Sequence, residues 1–160
     1  SSALIIERKT SCTKQDAYKI LDIKLQSQFS NNIQSNFGYI NRYIKNLEHQ
    51  DDDQYFKQNG KRVVEEVVSL ASKHILDHLQ EHSLELAKVK RLWLHQANIN
   101  MNIQIAKNVF KRNAANDELP TILNDYGNTG SAGAIIAFHH HHRDLKSKDI
   151  GILCSYGAGY

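Results

Sequence analysis

From Tyr55 to about Glu81 the apolar residues Val63, Val64, Val67, Val68, Leu70, Ala71, Ile75, Leu76 and Leu79 recur at three- and four-residue steps, with charges opposite. That period is helical, and it obliges one face of a long helix to be covered by something else. Two short apolar runs follow, at residues 89–94 and 150–155. Runs of that length between turn signals read as buried strands. Residues 98–110 return to the helical period, and residues 131–142 read as a further helix entered through Gly127-Asn128-Thr129-Gly130. Long helices alternating with short buried strands predict an α/β layered domain, with helices on the faces of a sheet.

The rest of the chain is less patterned. Residues 3–6 are apolar and β-branched, consistent with a buried strand, and residues 12–36 are polar and read as loop with short regular pieces. Residues 37–47 fit a short helix, and Asp51-Asp52-Asp53 is a solvated charge run suited to a helix start. Ser83 is placed to cap a short helix over 84–87, and Pro120 breaks the chain.

With 160 residues the chain is long enough for one domain with a sizeable core. A net charge of +3, carried by scattered basic residues without interleaved aromatics, argues against nucleic acid. No apolar run approaches the roughly 20 residues that span a bilayer, and no signal segment opens the sequence. Cys12 and Cys154 give no disulfide framework and read as free thiols in a reducing cytoplasm. The chain opens within a strand-like run, and its single methionine is Met101. It therefore reads as a fragment or processed piece.

Three polar clusters carry candidate chemistry. His95 follows the strand at 89–94, and the crevice at the carboxyl ends of strands is where α/β sheets bind ligands. Its imidazole titrates near neutrality, which suits acid/base or electrostatic work. The competing reading is a histidine satisfied by backbone. Asn128 lies between glycines ahead of a helix, where simple turn chemistry competes. Paired, a neutral imidazole and a carboxamide can donate two hydrogen bonds to a developing oxyanion. The turn Gly157-Ala158-Gly159 lets a backbone N–H approach a substrate closely.

Other candidates are weaker. His139 to His142 resemble a metal tract, but only His139 and His142 share a helix face, and a solvated helix end explains them more simply. Cys154 lies in an apolar strand and reads as an inert buried thiol. Cys12 has no Gly-rich elbow or obvious base beside it.

In their order and spacing, His95-Gln96-Ala97-Asn98, Gly127-Asn128-Thr129 and Gly157-Ala158-Gly159 resemble the C-terminal half of β-ketoacyl-acyl-carrier-protein synthase III. So do Phe56-Lys57-Gln58-Asn59-Gly60-Lys61 and the opening strand, and residues around 134–139 resemble the branch acting on longer primers. The resemblance covers essentially the whole chain, residues 1–160.

It implies a thiolase-like fold, of which this chain is the C-terminal half of an αβαβα layering with one mixed five-stranded sheet flanked by helices. It also implies a homodimer and a Cys-His-Asn triad. His95 and Asn128 match the His and Asn of that triad, and Ala158 would supply an oxyanion-hole N–H. The nucleophilic cysteine would belong to the other half. The implied reaction, in fatty acid biosynthesis, transfers an acyl group from acyl-CoA to that cysteine. Malonyl-acyl carrier protein then loses carbon dioxide and condenses with it. No metal and no tightly bound cofactor are implied. Asn100 replaces a frequent arginine that helps dock the carrier protein, and Gly130-Ser131-Ala132-Gly133 replaces a more Ser-rich stretch. A different class of function, a non-catalytic thiolase-like subunit paired with a catalytic partner, fits less well because His95 and Asn128 are both present.

Overall fold

A computed structural model describes residues 2–14, 17–34 and 56–157. In chain order the elements are β1 (Ile33–Gln34), β2 (Lys57–Gln58), α1 (Gly60–Glu81), a 3-10 turn (Leu86–Lys88), β3 (Val89–Leu94), α2 (Ile99–Phe110), α3 (Leu123–Tyr126), α4 (Ala132–His140) and β4 (Ile150–Cys154). The expected helix at 37–47, the Asp51–Asp53 run and Ala158 lie outside the described residues.

Helix α1 starts where Gly60 permits, and the Asn59 side chain accepts from the Arg62 N–H at 3.3 Å. Its buried stripe, Val63, Val67, Val68, Ala71, Ile75 and Leu79, keeps the spacing seen in the sequence. Each such aliphatic side chain contributes about 1.5–3 kcal/mol when fully buried. The helix ends differently from expectation. Ser83 adopts φ 51°, the Leu84 N–H reaches the Leu79 carbonyl at 2.9 Å, and the Ser83 N–H reaches Gln80 at 3.0 Å. This pair of bonds closes a helix through a left-handed residue. Ser83 is thereby used as a stop, so the expected short helix at 84–87 is replaced by the 3-10 turn at Leu86–Lys88.

Strands β3 and β4 pair in parallel, with Leu92 opposite Ile152, Trp93 opposite Leu153 and Leu94 opposite Cys154. The two-residue β1 and β2 form a separate antiparallel pair. Of the five-stranded sheet that the resemblance implies, the described residues contain the β3–β4 pair. Residues 3–6 are not a strand: no described strand pairs with them, and Ile5 remains 98% exposed.

Side chains of β3 sort the core into two layers, by alternation from Arg91 onward and across a register irregularity between Val89 and Arg91. Val89, Leu92 and Leu94 pack with α1 and α2 in the larger cluster, which includes Val67, Ile75, Ile105 and Val109. Trp93 faces the other way, with Ile122 and Ala137 of the α4 side. Helix α4 approaches closely because it presents Gly133, Ala134 and Ala137. On that side Arg91, only 4% exposed, donates to both carboxylate oxygens of Asp144 at 2.6 and 2.8 Å. It also donates to the backbone carbonyls of Asp117 and His141. Trp93 Nε1 donates to the same His141 carbonyl at 3.1 Å. These bonds fasten the end of α4 to the strand, and the Arg91 guanidinium holds the Asp144 carboxyl down at about 2. Among the described residues no helix is long and apolar enough to cross a membrane.

Gly151 is the tightest point of the sheet. A Cβ there would lie 2.1 and 2.4 Å from two ring carbons of Trp93. Gly151→Ala is expected to lower stability by about 1–3 kcal/mol through overpacking against a ring locked on its other side. Urea denaturation of the two proteins measures this, and an unchanged midpoint would contradict the packing described.

Candidate active site

His95 is the first residue beyond β3, and its direction is set by its own backbone. The His95 carbonyl accepts from the Ala97 N–H at 3.2 Å and from Asn102 Nδ2 at 3.1 Å. Asn102 reaches it from the inner face of α2, among Met101, Ile105 and Ala106. A polar residue within an apolar stripe was the sequence signal for this contact. Helix α2 is itself registered by Asn98, whose Oδ1 accepts from the N–H groups of Asn100 and Met101. An extended capping residue of this kind satisfies donors that a helix leaves open.

Gln96 points into the core and is fully buried. Its Nε2 donates to the Leu94 carbonyl at 2.9 Å. Its Oε1 accepts from the Ile122 N–H at 3.0 Å and the Thr121 hydroxyl at 3.2 Å. Gly133 of α4 sits directly on it, since a Cβ there would lie 2.7 Å from Gln96 Cβ. Gln96 therefore joins β3, the segment before α3 and α4 at one point, while its neighbour His95 is turned elsewhere.

The parallel register brings the end of β4 beside that imidazole. His95 Nδ1 lies 3.2 Å from Ser155 Oγ, and the Tyr156 ring centroid is 4.7 Å from the imidazole centroid. His95 is 8% exposed, and burial lowers its pKa below the usual value of 6.5. The ring is therefore neutral at pH 7, as a hydrogen-bond donor to a developing anion needs to be. Burial also pushes the Tyr156 phenol far up, and its buried hydroxyl has no hydrogen-bond partner among the described residues.

Asn128 stands on the loop between α3 and α4, flanked by Gly127 at φ 64° and Gly130 at φ 62°. Its Oδ1 accepts from the Gly130 N–H at 2.9 Å. That turn occupies the acceptor end of the amide and leaves Nδ2 as the outward donor. Asn128 is exposed, and no hydrogen bond joins it to His95 among the described residues. The structure thus brings His95 together with Ser155 and Tyr156, and sets Asn128 on its own rigid turn.

The two thiols are separate from this arrangement. Burial pushes the Cys154 thiol up to about 11, so it is protonated and a poor nucleophile at neutral pH. The Cys12 thiol donates to the Lys14 carbonyl at 3.8 Å. A cleft of about 400 Å³ opens toward the opposite end of β3, lined by Lys90, Arg91, Arg112, Glu118, Asp144 and Asp149. Its charges are largely paired, Arg91 with Asp144 and Arg112 with Glu118.

The fold is that of the thiolase-like synthases. A solved 3-oxoacyl-(acyl carrier protein) synthase III from Pseudomonas aeruginosa superposes with a TM-score of 0.61 at 20% identity, over 81% of this chain and 37% of that one. A second synthase III structure gives 0.55 at 21% identity, over 68% and 34%.

The chain belongs to the 3-oxoacyl-[acyl-carrier-protein (ACP)] synthase III family, whose C-terminal pattern matches residues 79–160. It is 42% identical over 159 residues to a beta-ketodecanoyl-[acyl-carrier-protein] synthase of Pseudomonas aeruginosa, which takes in 99% of this chain and 45% of that protein. It is 31% identical over 111 residues to a beta-ketoacyl-[acyl-carrier-protein] synthase III of Clostridium botulinum, covering 68% of this chain and 33% of that protein. The chain thus spans less than half the length of either relative.

Two expectations follow from the geometry. Gln96→Leu strands the Ile122 N–H and the Leu94 carbonyl in the core, and a buried unpaired group costs about 1–3 kcal/mol. Chemical denaturation should show a loss of that size, with faster exchange of the Ile122 amide. His95 binds a proton less readily when folded than when unfolded. Its contribution is therefore undiminished above the unfolded value near 6.5, and it falls away as pH drops through the lower folded value. An NMR titration of the His95 ring should give a midpoint below 6.5, and a midpoint above it would contradict the burial effect.

Proposed function

We propose that this chain is the C-terminal half of a decarboxylating ketoacyl synthase, and that His95 and Asn128 serve its condensation step in fatty acid biosynthesis. The observation that carries the reading is His95 itself: an imidazole at a strand end, kept neutral by burial, in a chain of this family. The nucleophilic cysteine is supplied by the other half of the enzyme, as the family resemblance implies, and the buried, protonated Cys154 is consistent with that. Ala158 supplies a backbone N–H to the same site. The whole enzyme is a cytoplasmic homodimer, with acyl carrier protein as its partner and no tightly bound cofactor.

In the proposed reaction, the cysteine thiolate attacks the acyl-CoA carbonyl and expels CoA as a thiolate, which takes a proton from solvent. Malonyl-acyl carrier protein then loses carbon dioxide, and the electron pair of the broken C–C bond passes into an enolate. His95 Nε2–H and Asn128 Nδ2–H donate to that enolate oxygen. The carbanion carbon attacks the acyl-enzyme thioester, forming the new C–C bond and returning the thiolate. Neutral donors suit this step, because an imidazolium would protonate the carbanion it must preserve. The Asn128 turn supports the role, as it engages Oδ1 and leaves Nδ2 to donate.

The relative at 42% identity is named for a ten-carbon product. Condensation adds two carbons, so an eight-carbon primer is the substrate proposed for the enzyme containing this chain.

In the full-length protein, His95→Ala and Asn128→Ala should each lower malonyl decarboxylation by about 10²–10³-fold, as loss of one oxyanion donor does. Radiolabelled acyl transfer from octanoyl-CoA to the cysteine should fall much less. Decarboxylation unaffected by His95→Ala would overturn the proposal and favour the non-catalytic subunit.

A further inference from the structure

The conspicuous histidines of this chain are the four at 139–142. They do not converge. His139 and His142 have ring centroids 6.4 Å apart, and His140 Nε2 is bonded to the Tyr126 hydroxyl at 2.9 Å. Consecutive helical residues point about 100° apart, so a run of histidines spreads its rings around the helix.

A less visible set does converge. His78 and His82 are four residues apart at the end of α1, so they project from one face. Asp22, from the segment running alongside, places its Oδ2 2.9 Å from His78 Nε2 and 2.7 Å from His82 Nε2. All three donor atoms lie within 4.8 Å of one another, and this is the one such group among the described residues. The Asp22 carboxyl is held below its usual range, first by the hydrogen bond from His78, so it is an anion at neutral pH. Just beyond Asp22 the segment is held to α1 by further contacts. His74, one turn earlier on α1, engages Gln26 Oε1 and the Lys24 carbonyl, and Lys24 Nζ pairs with Glu81 at 2.6 Å.

We propose that Asp22, His78 and His82 form a zinc site that clamps the segment around residue 22 to the end of α1. Two imidazoles and a carboxylate suit zinc, whereas magnesium and calcium prefer all-oxygen shells. Around zinc, with bonds of about 2.0–2.1 Å, tetrahedral ligand atoms lie about 3.3 Å apart. The two spacings from Asp22 to the histidines need to open by only about half an ångström. In a neutral ring the proton that Nε2 now offers to Asp22 transfers to Nδ1 through solvent, and the Nε2 lone pair goes to the ion. The partial exposure of all three residues leaves the fourth position to water. The chain segment closed by the ion runs from Asp22 to His78, so binding adds to the stability of the folded form by mass action.

The test is calorimetric titration of zinc chloride into metal-free protein in which His139, His140, His141 and His142 are all replaced by Gln, which removes the competing tract. One zinc is expected to bind with micromolar affinity and to raise the melting temperature, reversibly with a chelator. Asp22→Asn, His78→Gln or His82→Gln should each weaken binding at least tenfold, while His74→Gln should leave it within about twofold. Circular dichroism verifies that each variant is folded. Absence of zinc binding in the tract-free protein, or binding unaltered by these three substitutions, would overturn the site.

Discussion

The structure depends on a carboxamide with nowhere to go but into the protein. Gln96 is fully buried just past β3, and its three hydrogen bonds and its contact with Gly133 tie β3, the segment before α3 and α4 together. Such a group is costly if any of its bonds is lost, so it tolerates one arrangement of its neighbours. The consequence for His95 is directional. With Gln96 committed inward and Asn98 committed to capping α2, the imidazole of His95 just ahead of them is aimed at the end of β4. A packing requirement thereby becomes a positional one.

The same economy governs the electrostatics. His95 is neutral because burial lowers its pKa, and among the described residues no carboxylate counters that effect. Cys154, one strand away, is made inert by the same low-dielectric surroundings. Burial thus favours the uncharged form of both groups, which suits a donor of hydrogen bonds and disqualifies a thiolate nucleophile. Asn128 is prepared by different means, through a turn whose two glycines take left-handed backbone and whose side chain closes on Gly130.

Much of this was legible in the residues. The helical period of α1 and α2, the strand at β3 and its parallel neighbour β4 all lie within a residue or a few of where spacing put them. His95 at a strand end and Asn128 in a glycine turn were also readable, because those signals are local. Misreadings arose where a local signal served another purpose. Ser83 resembles a helix start, and the chain uses it as the left-handed stop of α1. Residues 3–6 have strand composition, but a strand is defined by its partner, and none among the described residues pairs with them. The convergence of His78 and His82 with Asp22 had no local signal, because Asp22 lies far away in sequence.

The sequence by itself determined α1, α2, α4, the strands β3 and β4 and the identity of the polar groups at the end of β3, since periodicity and turn chemistry act over a few residues. Only the tertiary structure decided what those groups touch. It set Ser155 and Tyr156 against His95 through the β3–β4 register, made Gly151 obligatory beneath Trp93, and drew Asp22 onto two histidines of α1. The physical reason is that register and close packing are fixed by contacts between segments distant in sequence, and pKa values, donor directions and ligand sets follow from those contacts.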